Sequence, residues 1–119
     1  MANPNLLSMT SLYGEMSVLN ATTASANIAA NTTASGEIYR INSLYVSNIN
    51  SGINSEITID LVRDSISYAI TTNLTIPYAA TVVAISKDSK IYLNEGDTLK
   101  CISSTDNDLQ VVCAYEVIA

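Results

Sequence analysis

Histidine, phenylalanine and tryptophan are absent from this 119-residue chain, which also has only four glycines and two prolines. Without histidine, the chain lacks the commonest general base and the commonest metal ligand in proteins. The four glycines are scattered, so they form neither a phosphate-binding loop nor the Gly-x-Ser-x-Gly motif that surrounds a nucleophilic serine. We therefore expect that the protein is not an enzyme and has no catalytic residue, cofactor or metal site.

Charge is also scarce, because Asp, Glu, Lys and Arg make up 13% of the residues, against roughly 25% in typical soluble domains. Five basic residues stand against eleven acidic ones, which gives a net charge of −6. No cluster of Lys or Arg is present that could displace counterions from phosphates, so no nucleic-acid partner is expected. A charge-poor surface combined with a mean hydropathy of +0.25 predicts that part of the surface is covered in a homo-oligomer or larger assembly.

Long apolar runs are missing as well. No run approaches the roughly 18 residues that a membrane-spanning helix requires. The first residues, Met1 to Pro4, lack the basic and apolar regions of a signal peptide. These observations predict no membrane partner and no export by the signal-peptide route.

Short segments with alternating apolar residues are abundant, and turn residues separate them at intervals of roughly ten residues. This pattern predicts an all-β protein, an antiparallel β-sandwich of seven or eight strands with jelly-roll or immunoglobulin-like topology and an aliphatic core. Gly36 is the predicted boundary between an extended N-terminal arm with an edge strand (1–35) and the sandwich domain (36–119). In the sandwich domain the strands are predicted at residues 37–49, 56–63, 67–76, 81–85, 98–103 and 109–118, and residues 91–93 lead into the turn before the strand at 98–103. In the arm, the edge strand is predicted at residues 11–19 and a further strand around residues 27–30.

The last two of these segments, Thr98–Ser103 and Leu109–Ile118, flank the polar turn residues 105–108 and predict a β-hairpin with Asn107 at its apex. In that hairpin Cys101 would face Cys113 across the pair, and the odd-numbered residues would share the buried face. Two interpretations of the cysteines remain open. They are either a disulfide, which directly opposed strand residues allow, or two reduced and buried thiols, which a cytoplasmic protein favours.

Six residues are candidates for contacts with a partner protein. Two are apolar residues of the arm, one lies in its predicted edge strand, and three lie on the even-numbered face of the predicted hairpin, which is less polar than a solvent face should be. They are Leu6, Leu7, Tyr13, Ile102, Val112 and Ile118.

Three sequence motifs carry a likeness to a known group of proteins. They are GEIYRINSLxVSN (36–48), ISKDSxIYLxEGDxL (85–99) and AYExI (114–118), and the opening MANPNLLS (1–8) is similar as well. This pattern resembles small β-sandwich virion structural proteins of tailed bacteriophages, particularly those that infect cyanobacteria. The resemblance implies a subunit that is present in many copies in the particle. It implies no active-site residues in this chain.

The resemblance leads to the hypothesis of a capsid decoration or cement subunit that docks through its N-terminal arm and sandwich surface. Its partners would be the major capsid protein and further copies of itself, as in a trimer, in a virion assembled in the host cytoplasm. Two alternatives stay open. One is a neck or tail accessory, such as a collar or fibre-attachment protein, and the other is a carbohydrate-binding adhesion module that uses its tyrosines.

Overall fold

The computed structural model describes residues 10–119 and places nine strands in this range, in two antiparallel sheets that form a sandwich. The predicted fold class is confirmed, with nine strands instead of seven or eight. The strands are β1 (Leu12–Ala21), β2 (Ala26–Ala30), β3 (Ile38–Asn48), β4 (Ser55–Arg63), β5 (Ile66–Ile76), β6 (Thr81–Ile85), β7 (Ile91–Leu93), β8 (Thr98–Ser103) and β9 (Leu109–Ile118).

Strand order identifies the topology. Sheet A has the order β1-β9-β3-β6, with β7 also paired to β3, and sheet B has the order β2-β8-β4-β5. Because β6 and β7 pair with successive parts of β3 and are separated by one 3₁₀ turn, Lys87–Ser89, they act as one interrupted strand. The first strand then pairs with the last, the second with the second to last, and so on inward to β4 and β5. This is the nested pairing of a jelly roll.

The core lies between the two sheets and is built from alternate residues of each strand. Its largest fully buried apolar side chains are all aliphatic: Ile41, Leu44, Val46, Ile57, Ile59, Ile76, Leu93, Leu99, Leu109 and Val111. Branched aliphatic side chains fit the half-buried, pleated surface of a strand, and they fill this thin core without Phe or Trp. A bulge between Ile41 and Ser43 shifts the register of β3 against β9, at the point where the apolar alternation of β3 changes parity.

The predicted hairpin has the correct strand bounds but the wrong pairing. β8 pairs with β2 and β4 in sheet B, whereas β9 pairs with β1 and β3 in sheet A. The connection 104–108 therefore crosses between the sheets, and Cys101 and Cys113 are not neighbours in one ladder. The odd-numbered faces of both strands are buried as predicted, because alternation determines which face is apolar whether the two strands pair or face each other across a core.

Residues 12–30 of the predicted arm belong to the sandwich. β1 pairs with β9 over ten residues as the edge strand of sheet A, and β2 pairs with β8 at the edge of sheet B. β1 and β2 are therefore continuous with the two sheets that the strands after Gly36 form. Composition concealed the place of these two strands in the sheets, because their buried residues include alanines, Ala21 and Ala29, which give little apolar contrast.

Candidate functional site

The outer face of sheet A carries a row of exposed and half-buried apolar side chains that crosses four strands. Val18 on β1 lies beside Val112 on β9, Val112 beside Tyr45 on β3, and Tyr45 beside Val83 on β6. Met16 extends the row along β1. The exposed fractions are 63% for Met16, 69% for Val18, 40% for Tyr45 and 52% for Val83. We call these five residues the apolar row.

The strand pleat explains why these side chains point outward. The residues next to them in sequence, Val46 and Val111, are fully buried, and Leu19 and Val82 pack against the core. Because successive side chains of a strand alternate between faces, a run of consecutive apolar residues must place every second one in solvent. The apolar row is therefore a built-in consequence of apolar runs such as Val111-Val112 and Val82-Val83.

An open groove of about 760 Å³ adjoins the row. Tyr45 and Val83 line both, and the rest of the groove is formed by outer-face residues of β3 and β9 and by the connection between β6 and β7. It holds three of the five basic residues of the chain, Arg40, Lys87 and Lys90, together with two acidic ones. In a chain with a net charge of −6, this is the region where positive charge is concentrated.

Glu116 organises the polar end of the groove. Its Oε1 accepts hydrogen bonds from Arg40 Nε at 2.7 Å and from Asn42 Nδ2 at 2.9 Å, and Arg40 Nη2 forms an ion pair with the same oxygen. The hydrogen bond from Asn42, followed by that from Arg40, lowers the pKa of Glu116. The hydrogen bond to Glu116 raises the pKa of Arg40. Arg40 and Glu116 are directly opposed in the register of β3 and β9, so the sheet positions the pair.

The structure separates the residues that the sequence proposed as partner contacts. Tyr13 is exposed on β1 and Val112 belongs to the apolar row, whereas Ile102 is exposed on sheet B. Ile118 is only 9% exposed, because β9 ends where β1 and β3 flank it. The even-numbered residues of β8 and β9 therefore do not share one surface. Leu6 and Leu7 lie outside the described residues.

The sequence reasoning missed Met16, Val18, Tyr45 and Val83. Apolar residues adjacent to core residues were the available signal, but a single sequence does not show which strands are neighbours. Without the order β1-β9-β3-β6, four separate exposed residues could not be recognised as one row.

Further findings concern metal ligands, helices and cysteines in the part of the chain that the structure describes. Within residues 10–119 there is no group of three or more His, Cys, Asp or Glu side chains that could hold a metal ion. The longest helical segment in the same range is far too short and polar to cross a bilayer. Cys101 and Cys113 are free thiols buried in the core.

No protein-family model and no curated protein matches this chain. Solved structures with a similar fold include a protein of Bacillus endospore appendages, which form a novel family of disulfide-linked pili. It is 16% identical, with a TM-score of 0.56 over 100% of this chain and 94% of that one. A protein of the acidic stable capsid of the Helicobacter pylori bacteriophage KHP30 is 10% identical, with a TM-score of 0.53 over 93% of this chain and 90% of that one. At these identities the likeness establishes a shared β-sandwich fold.

Proposed function

We propose that this protein is a structural subunit of a bacteriophage virion, and specifically a capsid decoration subunit that docks on the shell through the outer face of sheet A. The observation that carries the proposal is the apolar row, which leaves Met16, Val18, Tyr45 and Val83 in solvent on one face. Contiguous exposed apolar side chains are typical of protein contact sites.

Three further observations support the same proposal. A face with an apolar centre and a polar rim resembles the anatomy of a protein interface, and Asn20, Gln110, Ser47 and Thr81 form a polar row alongside the apolar one. The two similar folds named above come from particles or filaments made of many subunits. The motifs at 36–48, 85–99 and 114–118 resemble virion structural proteins of tailed phages and point to the same class.

The test begins with copy number. Quantitative mass spectrometry of purified particles should find this chain at an abundance comparable to that of the major capsid protein. An abundance lower by more than an order of magnitude would move the protein to the neck or tail, where rings contain few subunits. Absence from the particle would refute a virion role.

The docking face is tested by binding to shells that lack the protein. In a cosedimentation assay, the full-length chain should bind, and Val83→Lys should lose at least tenfold in affinity because it places a charge in the apolar row. Ile102→Lys is the matched control, since Ile102 is an exposed aliphatic residue on the opposite sheet. If both variants bind like the wild type, the outer face of sheet A is not the docking surface.

A further inference from the structure

The sandwich has four edges, formed by β1 and by β6 with β7 in sheet A, and by β2 and β5 in sheet B. Edge strands present unpaired N–H and C=O groups, and natural proteins protect such edges by short length, bulges, charges or proline. β2 and β6 are five residues long, β7 has three, and β2 and β6 each pair with a register shift. β5 is longer, but its pairing shifts twice and Asn73 has a positive φ of 50°.

β1 lacks these protections. It runs for ten residues and pairs with β9 in a constant register, from Leu12 opposite Ile118 to Ala21 opposite Leu109. It contains no proline and no lysine, and Glu15 is its one charged residue. Within residues 10–119, no strand pairs with the other edge of β1. It is therefore a long and regular edge.

The hydrogen bonds at the start of β1 identify which backbone groups face outward. Ser11 N–H donates to Ala119 O at 2.8 Å, and Ala119 N–H donates to Ser11 O at 2.9 Å. Ser11 is thus in a hydrogen-bonded pair, and because the register is constant, the odd-numbered residues of β1 bond to β9. The N–H and C=O groups of the even-numbered residues point away from β9, at Leu12, Gly14, Met16, Val18 and Asn20.

The side chains of this edge are suited to a protein contact. The same even-numbered residues project from the outer face of sheet A, where Met16 and Val18 belong to the apolar row. Unsatisfied backbone groups and exposed apolar side chains therefore coincide on one strand. A strand added at this edge would form hydrogen bonds with the unpaired backbone groups and would cover part of the exposed apolar side chains.

We propose that β1 pairs with β1 of a second copy of this chain, antiparallel and about a two-fold axis, to give a sandwich dimer with a continuous sheet A. A second copy is the matching occupant, because it offers the same four edges and β1 is again the long and regular one. Pairing an edge with itself is isologous and closes at two subunits. Pairing centred on Met16 matches all five outward-facing residues of the two copies, and it keeps Glu15 from lying opposite its own copy, where like charges would repel.

This pairing deepens the proposed function by naming a partner for the subunit, but its evidence is the backbone and side chains of β1 and does not include a shell. It can be tested in solution without particles. A dimer that does not bind shells would refute the decoration role and leave the pairing intact, and a monomer that binds shells would do the reverse.

The first measurement is the mass of the full-length chain by light scattering or sedimentation across a concentration series. We expect twice the monomer mass of 12.7 kDa at high concentration. Amide hydrogen exchange supplies the specific signature. The amides of odd-numbered β1 residues should be protected at all concentrations, whereas those of even-numbered residues should become protected only as the dimer forms. This alternation does not depend on any variant.

Substitutions at Met16 then distinguish the contribution of the backbone to dimerisation from that of the side chain. Met16→Pro removes an outward N–H that is not bonded to β9, so the monomer should fold and the dimer should be lost. Met16→Thr keeps the N–H and should still dimerise. Val83→Lys, at the opposite edge of sheet A, should also dimerise. A monomer at all concentrations, an oligomer larger than a dimer, or a dimer that Met16→Pro leaves unchanged would each overturn the proposal.

Discussion

Arg63 and Asp97 form a two-pronged ion pair that joins the end of β4 to the turn between β7 and β8. Arg63 Nε donates to Asp97 Oδ1 at 2.8 Å, and Arg63 Nη2 donates to Oδ2 at 2.6 Å. The carboxylate also accepts the N–H of Asn94 at 2.8 Å. Asp97 is fully buried, whereas the Arg63 side chain is 41% exposed. Because β7 is in sheet A and β4 and β8 are in sheet B, this pair fixes a point where the chain changes sheets.

We expect Asp97→Asn to lower the free energy of unfolding by about 2 kcal/mol, since charge-assisted hydrogen bonds to a buried group are lost. Urea unfolding followed by circular dichroism measures the loss. Asp88→Asn is the control, because Asp88 is exposed in the 3₁₀ turn and its change should stay within about 0.5 kcal/mol. Equal losses in the two variants would show that the Asp97 pair has no special stabilising role.

Cys101 and Cys113 provide a second test, at alkaline pH. Burial raises the pKa of Cys101 to about 11 and that of Cys113 to about 12, against an ordinary value of 9.0. Above pH 9 the thiols of the unfolded chain ionise while those of the folded chain remain neutral. The stability that the neutral thiols contribute is therefore fully present below pH 9 and is lost as pH rises toward 11 to 12.

The expected result is that the wild type loses more stability between about pH 8 and about pH 10.5 than the double variant Cys101→Ala/Cys113→Ala. Tyrosine ionisation occurs in both proteins, so the difference between them isolates the thiols. If the two proteins lose stability in parallel, the thiols are not buried in the folded state. Alkylation of the wild type only after unfolding would agree with burial by an independent route.

Local patterns in the sequence predict strands well and predict strand partners poorly. The bounds of β6, β8 and β9 follow from alternation and turn residues, and so does the bulge near Asn42. The pairing of β8 with β9 was wrong because polar residues such as Asp106 and Asn107 suit a hairpin turn and a connection between two sheets equally well. In the structure Asp106 accepts hydrogen bonds from Thr23, a contact between distant parts of the chain.

The candidate site shows the same limit. Val112 could be proposed from the sequence because it breaks a polar pattern, yet its neighbours Val18 and Tyr45 are defined by sheet order. Ile102 has the same sequence signal and lies on the other sheet. A surface composed of residues from four strands depends on long-range pairing, which a single sequence does not encode in any local period.

The aromatic pair Tyr39 and Tyr115 allows a spectroscopic prediction. Their rings stack with centroids 5.3 Å apart. Burial raises the pKa of both phenols, and nearby acidic groups, including Glu15, add to the effect. The two phenols should therefore ionise above pH 10 in the folded protein, as measured by the phenolate absorbance in the near ultraviolet. Each of Tyr39→Phe and Tyr115→Phe should remove part of this late signal.

Unfolding in urea is the control for the tyrosine experiment, because it removes burial and should move the late signal toward ordinary phenol values. Tyr115→Leu tests the stacking itself and should cost about 1 kcal/mol more than Tyr115→Phe, which retains the aromatic contact. If neither Tyr39→Phe nor Tyr115→Phe reduces the late signal, Tyr39 and Tyr115 are not the buried phenols.

Glu116 links stability at acid pH to the groove beside the apolar row. Its hydrogen bonds with Asn42 and Arg40 lower its pKa below the ordinary value of 4.5. The contribution of the carboxylate to stability is therefore present above pH 4.5 and is lost as pH falls through the folded-state pKa.

We expect Glu116→Gln to be less stable than the wild type at neutral pH by less than about 1 kcal/mol, because the pair is partly solvated. The gap should close as pH falls below 4.5 and through the folded-state pKa of Glu116, where the carboxyl becomes protonated. Glu56→Gln, an exposed position on sheet B, should show no such closing gap. A gap that persists in acid would assign the effect of Glu116→Gln to packing instead of charge, and the ion pair would then not be what holds Arg40 at the wall of the groove.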